Sequence, residues 1–251
     1  MKALITGASY GLGADFARQL SAQGWDLILV SRREDRLNEV KETLNTNARV
    51  IPMDLSIEKN VVELHKMTQD ENIDLLINNA GYGIFGEFTE TDLKQEMNII
   101  DLNIKAYHIL TKLFLQDMVK RDRGRILNVA SSASFGPGPL LSTYYATKAY
   151  ILSLTCAIYE ELRSKKSKVK ISVLCPGPTA TEFTRRAKGE FNFREYKSED
   201  VINYGLKKMF QDKLIIVPGL RIKVLVFFAR LFSRKLQARI THIIQGKNKN
   251  Y

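Results

Sequence analysis

The stretch KALITGASYGLGADFARQL, residues 2–20, runs from five mostly apolar residues through Gly7, Gly11 and Gly13 into a segment of helical period. A short run apolar on both faces, followed by an amphipathic helix, is the opening unit of a parallel sheet covered on both sides. The GxxxGxG spacing lets backbone N–H groups approach a pyrophosphate at the helix N-terminus, where the helix dipole favours an anion. Ser9, Tyr10 and Leu12 fill the turn between the glycines. A tight β–α turn uses glycines for its own sake too, so the turn alone leaves both readings open.

The same alternation continues along the chain. Further strands are expected at 26–31, 49–53, 73–78, 125–130, 170–175 and 214–218. Helices fall near 12–23, 34–45, 57–70, 90–121, 142–165 and 198–211, with a last one in 220–245. No repeat and no Pro/Gly-rich break divides the 251 residues, which suits one α/β domain. Right-handed crossovers between seven such strands give a Rossmann-type doubly wound parallel sheet, flanked by helices on both faces, with ligands beyond the carboxyl ends of the strands.

Cys156 and Cys175 stand far apart, with no CxxC spacing and no histidine cluster, so neither a disulfide framework nor a metal site is expected, and the cytoplasm is the simplest setting. The chain enters a strand at once, and its longest apolar run in the tail, 224–229, is too short to span a bilayer. The net charge of +11 is local: from Gly219 onward the chain carries Arg221, Lys223, Arg230, Arg234, Lys235, Arg239, Lys247 and Lys249 and no acid, leaving +3 for the rest.

At the end of the second strand, where an acid commonly accepts from the adenosine ribose, the sequence has Ser31, Arg32 and Arg33. A carboxylate would repel a 2′-phosphate, whereas a guanidinium fork holds it, so NADP(H) is preferred over NAD(H), with Arg32 ahead of Arg33. The other reading is a basic start to a solvated helix. Asp54, followed by Leu55, is a candidate acceptor for the adenine amino group; its other role, capping the next helix, suits Ser56 better. In INNAGYG, 77–83, two amides and a glycine can bridge strand ends and crowd a flat ligand; Asn79, Ala80 and Gly81 are candidate contacts, although Asn78 and Asn79 also suit a plain turn.

In STYYATK, 142–148, Tyr144 and Lys148 share a helix face at i and i+4, while Tyr145 has Ala149 at that offset. An ammonium about 5 Å from a phenol, at an effective dielectric of about 20, lowers its pKa by about two units. Proton transfer near neutral pH is then within reach. Packing of two aromatics beside a solvated lysine is the plain alternative.

Taken in order, TGxxxGxG at 6–13, NNAG at 78–81, Asn103 in DLNIKA, a serine after the fifth strand, YxxxK at 144–148 and PGPTATEF at 176–183 resemble the short-chain dehydrogenase/reductase family over roughly residues 1–220. The resemblance implies an NAD(P)-dependent oxidoreductase with an Asn103–Ser131–Tyr144–Lys148 tetrad. The family's spacing of thirteen residues from serine to tyrosine selects Ser131 over Ser132 and Ser134, and Tyr144 over Tyr145. Tyr144 is expected to donate the proton to a carbonyl oxygen that receives hydride at its carbon. Ser131 is expected to hydrogen-bond that oxygen, Lys148 to lower the tyrosine pKa and hold the nicotinamide ribose, and Asn103 to kink its helix and hold a relay water. Pro176 and Gly177 lie beside the nicotinamide, with Thr181, or the backbone of Thr179, at the carboxamide. Tyr145 is expected to pack.

A flap after Phe183, with Phe191, Phe193 and Tyr196, and the apolar Phe135, Leu140 and Leu141 suggest a hydrophobic ketone or aldehyde, or the matching alcohol. A β-ketoacyl reductase of lipid metabolism is the competing enzyme; a non-catalytic NADPH-binding sensor or membrane-docked scaffold is the alternative of another class. Family relatives are commonly homodimers or homotetramers through the fifth and sixth helices. The basic amphipathic extension near 219–251 suits anionic lipid at a membrane surface, an acidic carrier or simple packing; nucleic acid fits poorly, since its cations alternate with large aliphatics.

Overall fold

The computed structural model describes residues 1–179, 195–229 and 231–246. Strands β1 (Lys2–Thr6), β2 (Asp26–Ser31), β3 (Ala48–Pro52), β4 (Leu75–Asn78), β5 (Arg125–Val129), β6 (Lys170–Leu174) and β7 (Ile215–Ile216) form one sheet. All pairings are parallel and the order is β3-β2-β1-β4-β5-β6-β7. Helices α1 (Gly11–Ala22), α2 (Glu34–Glu42) and α7 (Ser198–Phe210) pack with one face. Helices α3 (Glu58–Thr68), α5 (Tyr107–Lys120) and α6 (Ser142–Ser164) pack with the other.

Successive residues of β1 divide between these layers. Ala3 and Ile5 join one core cluster and Leu4 the other, and all three have no accessible surface. Both faces being dry is why the strands read as unbroken apolar runs, each buried Leu or Ile contributing roughly 1.5–3 kcal/mol.

Two helical segments differ from expectation. The helix expected over 90–121 starts only at α4 (Leu93–Ile100), because the Asp92 carboxylate caps it by accepting from Gln95 N at 2.9 Å. It then passes through a π-helical turn, Asp101–Ala106, before α5, and Asn103 sits in that turn. The single terminal helix is two, α8 (Leu220–Ala229) and α9 (Arg234–Gly246). The break is satisfied locally: the Ser233 hydroxyl accepts from Leu236 N at 3.4 Å, and the Gln237 amide donates to Ala229 O and Phe232 O, both at 2.8 Å. No helix among the described residues is long and apolar enough to cross a membrane.

The sheet order reverses between β1 and β4, so the loops after these neighbouring strands leave in opposite directions and open a crevice at their carboxyl ends.

Candidate active site

The crevice begins at the glycine turn. Gly7 and Gly11 have φ of +66° and +54°, a region that side chains with a Cβ rarely adopt. A Cβ on Gly13 would run into the carbonyl of Gly7, so the turn closes only with glycine there. Thr6 fastens this turn to the next loop: its hydroxyl accepts from Asn79 N at 2.9 Å and Ala80 N at 3.1 Å, and the Asn79 amide donates back to Thr6 O at 3.0 Å. Asn78 instead faces the interior, donating to Thr111 and Asn128 at 3.1 and 2.9 Å. Both asparagines therefore bridge elements and do more than form a turn.

One cleft runs from this turn to the candidate residues after β5 and on α6. It is lined by Gly7, Tyr10, Gly11, Leu12, Asn79, Ala80 and Gly81 at one end and by Ser131, Tyr144, Tyr145, Lys148, Gly177 and Gln245 at the other. Pro176 and Thr179 also border it, and the Thr179 hydroxyl donates to Gly177 O at 2.9 Å. Ser9 is buried behind the turn. Thr181 and the flap aromatics Phe183, Phe191 and Phe193 lie outside the described residues.

Ser131 follows β5, and its hydroxyl accepts from Ala133 N at 3.1 Å. It also holds the Tyr144 phenol down against the effect of burial. Ser134 is spent elsewhere, donating to Lys148 O at 2.8 Å, and so holds α6 against the sheet. Ser131 and Tyr144, the pair the spacing selects, both line the cleft.

The electrostatics differ from the expectation for Tyr144. Burial pushes its phenol up to about 12, with Ser131 opposing the rise. Lys148 is 4% exposed, and burial lowers it to about 8. Its ammonium donates to Val129 O at 2.9 Å and lies 5.2 and 5.8 Å from the Tyr107 and Tyr144 ring centroids. Lost hydration therefore outweighs the attraction that spacing alone suggested. Buried Cys175 is likewise raised, to about 12, so it stays a thiol at neutral pH.

Asn103 is fully buried, and its amide donates to Tyr82 O at 2.9 Å and to Thr147 at 3.1 Å while accepting from Tyr82 N at 3.2 Å. The side chain staples the loop after β4 to α6. The π turn supplies the expected irregularity in the helix.

At the far end, Arg32 lies 3.9 Å from the Asp54 carboxylate and keeps 59% of its side-chain surface exposed. The Arg33 guanidinium stands over the Tyr10 ring at 5.1 Å, and Arg33 N donates to the Ser31 hydroxyl at 3.4 Å. Asp54 does not cap α3, and neither does Ser56, because the N-cap is Ile57. One Asp54 oxygen instead accepts from Ser56 N and its hydroxyl at 2.9 and 2.8 Å. Leu55 is in the core.

Sequence reading missed Gln245 and misjudged Tyr145. Tyr145 closes over Gly138, where a Cβ would strike its ring, and accepts a hydrogen bond from Gln245 at 2.8 Å. It is a wall of the cleft, not a packing residue alone.

The sequence signature of short chain dehydrogenases matches residues 1–190, most of this length. The chain belongs to the short-chain dehydrogenase family. It is therefore an oxidoreductase enzyme. An uncharacterised oxidoreductase of Staphylococcus epidermidis is 35% identical over 184 residues, covering 72% of this chain and 79% of that protein. A very-long-chain 3-oxoacyl-CoA reductase of Pyrenophora tritici-repentis is 36% identical over 170 residues, covering 64% of this chain but half of that protein. A short-chain dehydrogenase from Sphingobium yanoikuyae in complex with NADPH superposes with a TM-score of 0.82 at 28% identity, covering 92% and 93% of the two chains.

The cleft fits the nicotinamide dinucleotide that this family uses. The N-terminus of α1 opens on it with no side-chain cap and no acid in the first turn, so its N–H groups are available to a pyrophosphate. Gly81 sits where a Cβ would come within 2.9 Å of Asn103 Oδ1 and 3.4 Å of Lys148 Nζ, which keeps that wall flat.

Proposed function

We propose that this enzyme reduces hydrophobic 3-oxoacyl thioesters with NADPH. The observation that carries the reading is the meeting of Ser131, Tyr144 and Lys148 at one end of the cleft whose other end is the glycine turn. The 36% identity to a 3-oxoacyl-CoA reductase supports the substrate class, as do Leu141, Tyr145 and Pro178 in the cleft wall.

The reduced nicotinamide, when bound, supplies the hydride for the carbonyl carbon. Gly7, Gly11 and Leu12 would hold the pyrophosphate, and Lys148, Ala80 and Gly81 would hold the nicotinamide end. Ser131 donates a hydrogen bond to the substrate carbonyl oxygen, and Tyr144 gives that oxygen its proton. A phenol at about 12 remains a competent donor, because an alkoxide is about as basic as hydroxide, whose conjugate acid has a pKa of ~15.7. Running in reverse, Tyr144 must first lose that proton, and at pH 7 only about one site in 10⁵ has done so.

NADPH preference rests on Arg32 and Arg33 and on the absence of a carboxylate at the end of β2. The Arg32–Asp54 approach at 3.9 Å is loose enough to open for a 2′-phosphate.

The terminal helices give the protein a lipid-facing surface in this reading. On α9 the inward side is Gln237, Ala238, Thr241 and Gln245, while Leu236, Ile240, Ile243 and Ile244 point out. Leu220, Val224, Leu225, Phe227 and Phe228 of α8 are also exposed. Cations without a single acid accompany them from Gly219 on, so a second copy placed symmetrically on this face would set like charges together, and anionic lipid is the complementary occupant. The protein is then cytoplasmic and peripheral to a membrane, consistent with Cys156 and Cys175 forming no disulfide. Self-association falls to α5 and α6, whose His108 and Tyr150 hydrogen-bond at 2.7 Å on an exposed face.

The test is NADPH oxidation with 3-oxoacyl-CoA of graded chain length beside simple ketones. Turnover rising with acyl length supports the reading; turnover of small ketones alone overturns it. Sedimentation with anionic and neutral vesicles tests the helix pair: pelleting with the anionic ones is expected, and a protein left in the supernatant by both contradicts it.

A further inference from the structure

Several buried side-chain oxygens lack a hydrogen-bond partner among the described residues, and of these only Gln245 Oε1 belongs to a residue that lines the cleft. Gln245 is 4% exposed. Its amide nitrogen donates to the Tyr145 hydroxyl at 2.8 Å, across 100 residues of sequence, which fixes the side chain at the cleft wall.

This arrangement is costly without a ligand. A buried amide oxygen that accepts nothing forfeits its hydration, and an aliphatic residue would close the same space without that loss. The helix that carries Gln245 exposes Ile243 and Ile244 and turns the glutamine inward, the reverse of an ordinary amphipathic helix. The unpaired group is an acceptor, so its ligand must offer a donor. The substrate carbonyl is itself an acceptor, and in the proposed reaction Ser131 and Tyr144 meet it. The acyl chain of a 3-oxoacyl thioester has no N–H or O–H of its own. The nearest donors on such a substrate are the secondary amides of the carrier arm beyond the sulfur.

We propose that Gln245, oriented by Tyr145, accepts a hydrogen bond from a secondary-amide N–H on the arm of the substrate thioester and thereby sets a preference for amide-bearing thioesters. The inference rests on the 3-oxoacyl thioester reading above. A site built to pair with a donor rejects the analogue that lacks it, since its own polar group is then left unmatched.

The test compares two 3-oxooctanoyl thioesters that differ in one group: the N-acetylcysteamine thioester and its 2-acetoxyethyl analogue, in which an ester oxygen replaces the N–H. The wild-type enzyme should favour the amide in kcat/KM by about tenfold, chiefly through KM. Gln245→Met should bring the ratio to within about twofold of unity, with the NADPH Kd, read by fluorescence quenching, unchanged within twofold. Gln245→Glu, which keeps an acceptor, should retain the preference and serves if the methionine variant fails to fold. Equal use of the two thioesters by the wild type, or an undiminished preference in Gln245→Met, overturns the inference while leaving the thioester reading intact. Reduction of simple ketones but of neither thioester overturns that reading and the inference together.

Discussion

The ammonium of Lys148 lies 5.8 Å from the Tyr144 ring centroid, but its hydrogen bond goes to the carbonyl of Val129 at 2.9 Å. Burial, not mutual attraction, sets both groups: Tyr144 is raised to about 12 and Lys148 lowered to about 8. Reduction should hold level below pH 7 and decline above about pH 8 as Lys148 loses the positive charge that stands beside the reacting oxygen. Alcohol oxidation should instead rise with pH toward 12, since it needs the Tyr144 phenolate. Initial rates in both directions across pH 6–10 check this pair of slopes.

The same two groups leave opposite marks on stability. Lys148 titrates at about 8 in the folded chain and 10.5 unfolded, so between those values the unfolded state holds more protons and this group's contribution to stability rises with pH. Tyr144 titrates at about 12 folded and 10.0 unfolded, so its contribution is complete below pH 10 and is lost as pH climbs through 12. Urea unfolding at stepped pH should show Lys148→Met flattening the first trend and Tyr144→Phe weakening the second.

Gly13 and Gly24 separate two kinds of glycine. A Cβ at Gly13 meets the Gly7 carbonyl, whereas at Gly24, with φ +81°, nothing lies within 4 Å. Gly13→Ala should lose at least tenfold in NADPH affinity and lower Tm. Gly24→Ala should cost only about 1–2 kcal/mol from its left-handed backbone and bind NADPH normally. Isothermal titration and thermal melts distinguish the two.

Arg32→Ala and Arg33→Ala should each weaken NADPH binding by about tenfold and leave NADH binding within about twofold. The ratio of NADPH to NADH dissociation constants is the quantity to measure, because a loss common to both would mark a structural role.

Asn103→Ala should cost about 2–4 kcal/mol, since it removes the partners of the Tyr82 N–H and carbonyl and one donor to the Thr147 hydroxyl, which keeps its own bond to Tyr144 O. Chemical denaturation checks the stability, and loosening of residues 81–83 would appear as faster amide exchange at Tyr82.

The sheet was legible because its strands are dry on both faces, so β1 and β2 read with their observed bounds. Tyr144 and Ser131 were singled out for a different reason: the Tyr144–Lys148 offset is a property of the helix, and the thirteen-residue spacing to Ser131 is one the family resemblance supplies. What escaped were long-range partners. Nothing near Asn103 in sequence announces Tyr82 or Thr147, and the desolvation of Lys148 and Tyr144 is a tertiary quantity. The break between α8 and α9 rests on Ser233 and Gln237, whose capping role depends on the turn they help to make. Gln245 left one faint trace, standing eight residues after Gln237 and so on the same helix face among exposed isoleucines.

Single-turnover reduction of 3-oxooctanoyl-CoA by NADPH in Tyr144→Phe, with Tyr145→Phe alongside, tests the assignment of the proton donor most directly. Tyr144→Phe should lower the rate by 10²–10⁴-fold while still quenching NADPH fluorescence as the wild type does, and Tyr145→Phe should keep the chemical step within about tenfold. Near-wild-type turnover in Tyr144→Phe, with the loss falling on Tyr145→Phe, would contradict the account.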